Sequence, residues 1–251
     1  MIPLNFFDDA PGDCWLTIDA AQLAENVRKL QVFAGKPVLA SVKSNGYGHG
    51  YEIAAKAFLK GGASYLGVAR LAEGLLLRQA GINAPVLIIG GILPEEMAQA
   101  AEANLEFFVW RPDHIKALRE IGKTSTRVHI KVDTGMGRLG CLPQDALQIA
   151  KDLKTIPGLE ITGLATHFAS ADVEGRGDTQ KQIDAFDQVI AALASAGIKP
   201  KLIHAANSAG ALYFPKARYD MERLGIAAYG ASPDPARKLP DGVKLALTWR
   251  A

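Results

Sequence analysis

The sequence predicts an α/β chain folded as a (β/α)8 TIM barrel. Two observations carry that prediction. Short, continuously apolar runs read as parallel strands buried on both faces, and amphipathic helical stretches lie between them. Eight such units in succession favour a closed barrel, with an open doubly wound sheet as the competing arrangement.

The first helix reads from Asp19 to Phe33, with Leu23, Val27 and Leu30 on one face and Asp19 placed to cap it. Pro37 to Val42 is the first barrel strand. The glycine-rich turn Ser44 to Gly50 follows it, then a helix carrying Ile53, Ala54, Ala57 and Phe58. Further strands read at Tyr65–Ala69, Val86–Ile89, Glu106–Val109, Arg127–Val132, Glu160–Thr166 and Lys201–His204, with a weaker one at Met221–Arg223. Helical patterns separate them at Ala72–Ala80, Glu95–Ala103, His114–Glu120, Pro143–Leu153, Gln180–Ala196 and Ala209–Phe214. Ala231–Gly242 reads as a linker, and Val243–Trp249 alternates like a strand in need of a partner. We expect residues 1–235 to form the barrel, and residues 236–251 to be a linker and the opening strand of a C-terminal β-domain that the chain lacks.

A chain of 251 residues, 49% hydrophobic and 22% charged, can bury a sizeable core without disulfides or metals. Its net charge of +2 gives no reason to expect nucleic acid or a membrane surface as partner. Cys14 and Cys141 lie far apart without metal-ligand spacing, and no histidine, cysteine and carboxylate cluster suggests a metal. Cysteine usage suits a reducing, cytoplasmic setting. Met1–Cys14 contains Asp8, Asp9 and Asp13 and lacks the pattern of a secretory signal. No apolar stretch reaches the roughly 18 residues of a membrane-spanning helix.

Chemistry concentrates at the carboxyl ends of the predicted strands, where barrel sites lie. Lys43 directly follows the apolar run Val38–Val42 and precedes Ser44-Asn45-Gly46-Tyr47-Gly48-His49-Gly50. A lysine there is desolvated, as an amine nucleophile needs, although a lysine snorkelling to the surface is the plainer alternative. Ser208 suits either a phosphate contact or an N-cap for the helix after it. Arg223 is either a site residue or a surface arginine beside Glu222. His114 and His129 have no motif around them and read as structural.

Ala40 to Gly50 resembles the pyridoxal-phosphate attachment signature of alanine racemases, with Ser44 and Gly46 where alanine is usual. Four further segments resemble that family in order: Lys131–Gly140, Thr166–Ala169, His204–Ala209 and Arg223–Gly230, the last with Leu224 in place of the usual proline. The resemblance implies pyridoxal 5'-phosphate carried on Lys43 as an internal aldimine. It places His167 by the cofactor ring, either with a proton role or as a packed ring. It also places Arg138 near the phenolic oxygen and the substrate carboxylate, and implies that Lys131, which can be carbamylated, orients Arg138. Tyr47, Asn207, Ser208 and the backbone near Gly225 and Ile226 would serve the cofactor, chiefly its phosphate. Arg223 would face the pyridine nitrogen with His204 buttressing it.

The implied activity is interconversion of L-alanine and D-alanine for peptidoglycan, by an isomerase that forms a homodimer. Lys43 would work one face of the substrate. In the family a tyrosine from the C-terminal domain of the partner subunit works the other, and no tyrosine of this chain matches it. Three other readings stay open: a non-catalytic pyridoxal-phosphate homeostasis barrel, a serine or broad-specificity racemase, and a barrel decarboxylase acting on basic amino acids.

Overall fold

A computed structural model of the chain describes residues 14–122 and 125–250. Its elements in order are β1 (Trp15–Ile18), α1 (Ala20–Ala34), β2 (Val38–Ser41), the one-turn α2 (Lys43–Tyr47), α3 (Tyr51–Lys60), β3 (Tyr65–Val68), α4 (Leu71–Gln79) and β4 (Val86–Ile88). There follow α5 (Met97–Glu102), β5 (Glu106–Val109), α6 (Pro112–Ile121), β6 (Thr126–Lys131), α7 (Ala146–Lys154) and β7 (Leu159–Ala165). The chain continues with α8 (Asp178–Ser195), β8 (Leu202–His204), α9 (Ser208–Tyr213), β9 (Glu222–Leu224) and β10 (Leu247–Arg250). Strands β2 to β9 form one eight-stranded parallel sheet in the order β8-β7-β6-β5-β4-β3-β2-β9. The seam between β8 and β9 is bridged by Asp220 N–H donating to the Ile203 carbonyl and Arg223 N–H to that of Ala206, both at 2.9 Å. The predicted barrel and its eight strands are therefore present.

Alternation along each strand divides the core in two. Val38, Ala40, Leu66, Val68, Ile88, Phe107, Val128 and Ile130 point outward and pack beneath Leu23, Val27, Leu30, Phe58 and Phe186 of the helices. Inside the barrel, Leu39, Leu87, Phe108, Ala165 and Met221 form a smaller apolar cluster. Laterally paired residues of a parallel sheet share a face, and Leu87 pairs with Glu106, Phe108 with His129 and Leu39 with Arg223. The barrel interior is thus polar wherever that apolar cluster stops.

The tail departs from expectation. Val243–Trp249 does not form one strand: β10 is confined to Leu247–Arg250 and pairs antiparallel with β1, a strand the sequence reading did not assign. Ahead of it, the backbone of Lys244 is held by a side chain instead of a strand. The fully buried Asn26 donates to the carbonyls of Ala228 (3.1 Å) and Lys244 (2.8 Å) and accepts from Lys244 N–H (3.0 Å). Leu245 consequently faces outward while Val243 and Ala246 are buried.

Glu222, on the outer face of β9 in register with Val38, is fully buried. Neither carboxylate oxygen accepts a hydrogen bond among the described residues, and Arg218 Nε stands 3.6 Å away. Desolvation outweighs the attraction of Arg218 and Lys36 and pushes its pKa up to about 7 from 4.5. Folding therefore takes up a proton between those values. Stability should fall as pH rises from about 4.5 to about 7, by about 3 kcal/mol, and level off above. Urea denaturation across that window should show the slope in the wild type and lose that component in Glu222→Gln. An identical slope in both would contradict the assignment.

Candidate functional site

A cavity of about 610 Å³ opens at the carboxyl ends of the barrel strands. Every site residue read from the sequence, from Lys43 to Ile226, lines it except His204, which is fully buried. Among the described residues four basic side chains, Lys43, Lys131, Arg138 and Arg223, share its wall with one carboxylate, Asp172. The balance favours an anionic ligand.

Lys43 leaves β2 on a turn of unusual hand. Ser44, Asn45, Gly46 and Tyr47 all have φ between 52° and 60°. A left-handed turn costs roughly 1–2 kcal/mol for each non-glycine residue, so the surroundings must hold it. Gly46 N–H returns to the Val42 carbonyl at 2.8 Å. Glu73, in the first turn of α4, spans the rest: one carboxylate oxygen accepts from Ser44 N–H (2.9 Å) and the Tyr51 hydroxyl (3.1 Å), the other from Ala69 N–H (2.5 Å). The sequence reading did not find this clamp. Burial, then the positive charge of Arg138, lowers the Lys43 pKa, with Glu73 opposing.

The opposite lip is formed by α9 and the loop after β9. Ser208 does not cap its helix. Asn207 does, its Oδ1 accepting from Gly210 N–H at 2.9 Å, while Ser208 is the first helical residue. The Ser208 Oγ instead accepts from Gly225 N–H (3.0 Å) and Ala227 N–H (3.3 Å). A methyl group on Gly225 would come within 2.7 Å of the Tyr47 hydroxyl. Glycine there keeps a cradle open between Tyr47, Ser208 and the backbone at Ile226.

Arg223 is not a surface residue: it is 6% exposed, and Glu222 faces away from it. Its Nη1 donates to His204 Nδ1 and the His204 carbonyl, both at 2.9 Å. Nη2 faces the carbonyls of Thr166 (2.6 Å) and Ala205 (2.9 Å), with His167 Nδ1 at 3.2 Å. Nε alone has no hydrogen-bond partner among the described residues. Even lowered to about 9 by burial, the guanidinium stays charged at neutral pH. Desolvation and then the charge of Arg223 hold both His167 and His204 neutral.

His129, read as structural, does not line the cavity but is bonded to a residue that contacts the site. It lies inside the barrel with Nδ1 2.8 Å from His204 Nε2 and Nε2 2.8 Å from the buried carboxylate of Glu106, so it adjoins the site through His204. Arg127, His129 and Lys131 alternate inward along β6, which is the signal that could have found it. His114, by contrast, packs against Trp110 with ring centroids 4.6 Å apart.

Lys131 is buried, donates to the Val132 carbonyl (2.9 Å), and has its pKa lowered to about 7 by desolvation and then Arg223. Arg138 sits in the loop after β6, which Asp133 ties off by accepting from the N–H groups of Gly135, Met136 and Gly137. No hydrogen bond joins Lys131 to Arg138 in this structure, and as two cations they repel.

An all-parallel barrel with its charged side chains gathered at one mouth defines the class of (β/α)8 proteins that hold a small anionic molecule at the strand ends. The chain belongs to the family described as alanine racemase, N-terminal domain, whose model matches residues 18–233. Alanine racemase of Symbiobacterium thermophilum is 38% identical over 246 residues, covering 96% of this chain and 65% of that protein. Alanine racemase 1 of Bacillus subtilis is 38% identical over 94% of this chain and 61% of its own length. Among solved structures, alanine racemase from Bacillus anthracis with bound L-Ala-P superposes with a TM-score of 0.89 at 35% identity, covering 96% of this chain and 64% of that one. The Clostridium difficile 630 alanine racemase complex with cycloserine gives a TM-score of 0.89 at 30% identity, over 96% of this chain and 68% of that one. The chain thus spans about two thirds or less of the length of these curated relatives.

Removing the Glu73 clamp should loosen the turn that carries Lys43. In Glu73→Ala, amide hydrogen exchange at Ser44 and Ala69 should quicken by about tenfold, the effect of roughly one lost buried hydrogen bond to a charge. Unchanged exchange at both amides would show that the turn is held by other means.

Proposed function

We propose that the chain is the lysine-bearing barrel of an alanine racemase, that it holds pyridoxal 5'-phosphate, and that it takes part in interconverting L-alanine and D-alanine. One observation carries this reading. The amine of Lys43 shares a cavity with a buried Arg223 that is charged at neutral pH and whose Nε is the one guanidinium nitrogen without a hydrogen-bond partner among the described residues.

The residues fit that cofactor by their chemistry. Lys43 offers an amine to its aldehyde. Tyr47, the Ser208 hydroxyl and the backbone of Gly225 and Ile226 form a phosphate cradle that a side chain at position 225 would fill. Asn207 fixes the helix that presents Ser208. Arg223, which keeps its protons at neutral pH, would leave the ring nitrogen unprotonated. When bound, the group supplies an electron sink that acidifies the substrate α-carbon.

The protein's own residues do the rest. Lys43 Nζ, its proton affinity lowered by burial and Arg138, takes and returns the proton on one face. Arg138 receives the carboxylate, a role suited to its place in the cavity wall. Carbamylation of Lys131 would turn a repelling cation into an anionic partner for Arg138. His167, neutral beside Arg223, would pack near the ring of the bound group. The second face needs a base, which the family resemblance assigns to a tyrosine of the partner subunit, in the part of the relatives that this chain does not span.

The names of the relatives and the L-Ala-P of the Bacillus anthracis structure support alanine as substrate. The same reading includes a homodimer, a cytoplasmic location and supply of D-alanine for peptidoglycan. No helix among the described residues is long and apolar enough to cross a membrane.

The test is covalent trapping. The chain is incubated with pyridoxal phosphate, reduced with borohydride and mapped by peptide mass. Label is expected at Lys43 and absent from Lys43→Ala. Racemisation of L-alanine by this chain alone should be weak. Failure to label Lys43, or label moving undiminished to another lysine in the variant, would refute the proposal.

A further inference from the structure

The interior of the barrel holds a line of buried polar side chains running from Arg223 to the amino-terminal end of β5. Arg223 Nη1 meets His204 Nδ1 at 2.9 Å, His204 Nε2 meets His129 Nδ1 at 2.8 Å, and His129 Nε2 meets Glu106 Oε2 at 2.8 Å. The other Glu106 oxygen accepts from Arg127 Nε at 2.8 Å, with the Tyr65 hydroxyl at 3.5 Å. His129 and His204 are 0% exposed and Glu106 1%. The line has been given room: a methyl group on Gly163 of β7 would fall 2.0 Å from His129 Nδ1, at the point where the β6–β7 register slips by one residue.

The two ends of this line dictate what lies between them. A guanidinium has no acceptor, so His204 Nδ1 must accept. Neutral His204 then carries its proton on Nε2 and donates to His129 Nδ1. That leaves the His129 proton on Nε2, facing a carboxylate that can only accept. An imidazolium at His129 would set two N–H groups against each other, so the ring stays neutral despite the acid beside it.

We propose that Glu106 and His129 are positioning residues for Arg223: they end a one-way hydrogen-bond chain that locks His204 as an acceptor and holds the guanidinium with its Nε toward the cavity. The consequence for cofactor retention rests on the pyridoxal-phosphate reading above; the direction of the chain does not. Arg127 is about one third exposed and has a second acceptor in Asn104 Oδ1 at 3.0 Å, so a glutamine at position 106 can turn its amide nitrogen to that side and keep its oxygen as the acceptor for His129. A leucine removes it and frees both rings to reverse.

The tautomers are read directly by imidazole nitrogen NMR on histidine-labelled protein without cofactor. Wild type and Glu106→Gln should show neutral His129 and His204 with the proton on Nε2 at neutral pH. Glu106→Leu should show mixed or reversed tautomers at both. Solvent exchange of the Arg223 side-chain hydrogens should then rise by about tenfold, as expected for roughly one buried hydrogen bond. An imidazolium or an Nδ1–H tautomer at His129 in the wild type overturns the proposal, and does so even where the leucine variant fails to fold. With pyridoxal phosphate added, the dissociation constant should rise by about tenfold in Glu106→Leu and stay near wild type in Glu106→Gln. If the wild type takes up no pyridoxal phosphate while its tautomers are as stated, the cofactor reading falls and the directed chain stands.

Discussion

A guanidinium buried inside a parallel barrel has five donors to place and no bulk water to receive them, and much of this molecule is arranged around that requirement. Arg223 finds its acceptors where strands run out: the carbonyls of Thr166 and Ala205 lie one residue past β7 and β8, and that of His204, the last residue of β8, also accepts from Thr166 N–H at 3.2 Å. An unpaired buried charge costs several kcal/mol, so each of these acceptors bears on stability as well as on the site. The charge also decides its neighbours. Two histidines near it are kept neutral, and the lysine across from it loses proton affinity. Glu106, a buried carboxylate inside the barrel, faces it at a distance, through the rings of His129 and His204.

Lys43 is secured by different physics. Its position depends on a strained turn, four consecutive residues of left-handed hand, and strain of that size persists only where neighbours over-determine it. The Glu73 carboxylate ties the turn to the end of β3 and to α3. The two cationic ends of the cavity are therefore held by acids that do not line it, Glu73 outside the turn and Glu106 below the floor. Among the described residues only Asp172 brings a carboxylate to the wall, so the acceptors that fix the cations do not cancel the field they make.

The eight barrel strands were legible because each is a short run buried on both faces between amphipathic helices, a pattern that local sequence carries by itself. Strand β1 was not, because four residues acquire a strand's identity only from a partner more than two hundred residues later. The same non-locality hid the irregular run before β10, which takes its backbone bonds from Asn26. At the site, residues at strand ends stood out by chemical type, whereas the N-cap alternative for Ser208 was off by one position because Asn207 and Ser208 are both good caps and only the helix start decides between them. Glu106 and His129 were passed over for a more general reason. In a strand apolar on both sides, sequence does not say which alternate set faces the barrel axis, and a charged residue mid-strand looks like an exception until its neighbours on other strands are known.

That axial arrangement bears on how the cavity would behave when filled. In the open cavity the cations depress one another: Arg138 lowers the proton affinity of Lys43, and Arg223 and Arg138 lower that of Lys131. A phosphate entering the Ser208–Gly225 cradle and a carboxylate reaching Arg138 would each relieve part of that repulsion, leaving burial as the main influence on Lys43. Arg223 takes no part in the exchange, since its proton does not move in either state. The barrel thus separates a fixed charge, held by a directed chain of hydrogen bonds, from an adjustable one, held by a strained turn. On the proposed cofactor reading, proton transfer at Lys43 would need that separation if the ring beside it is to keep a constant protonation state.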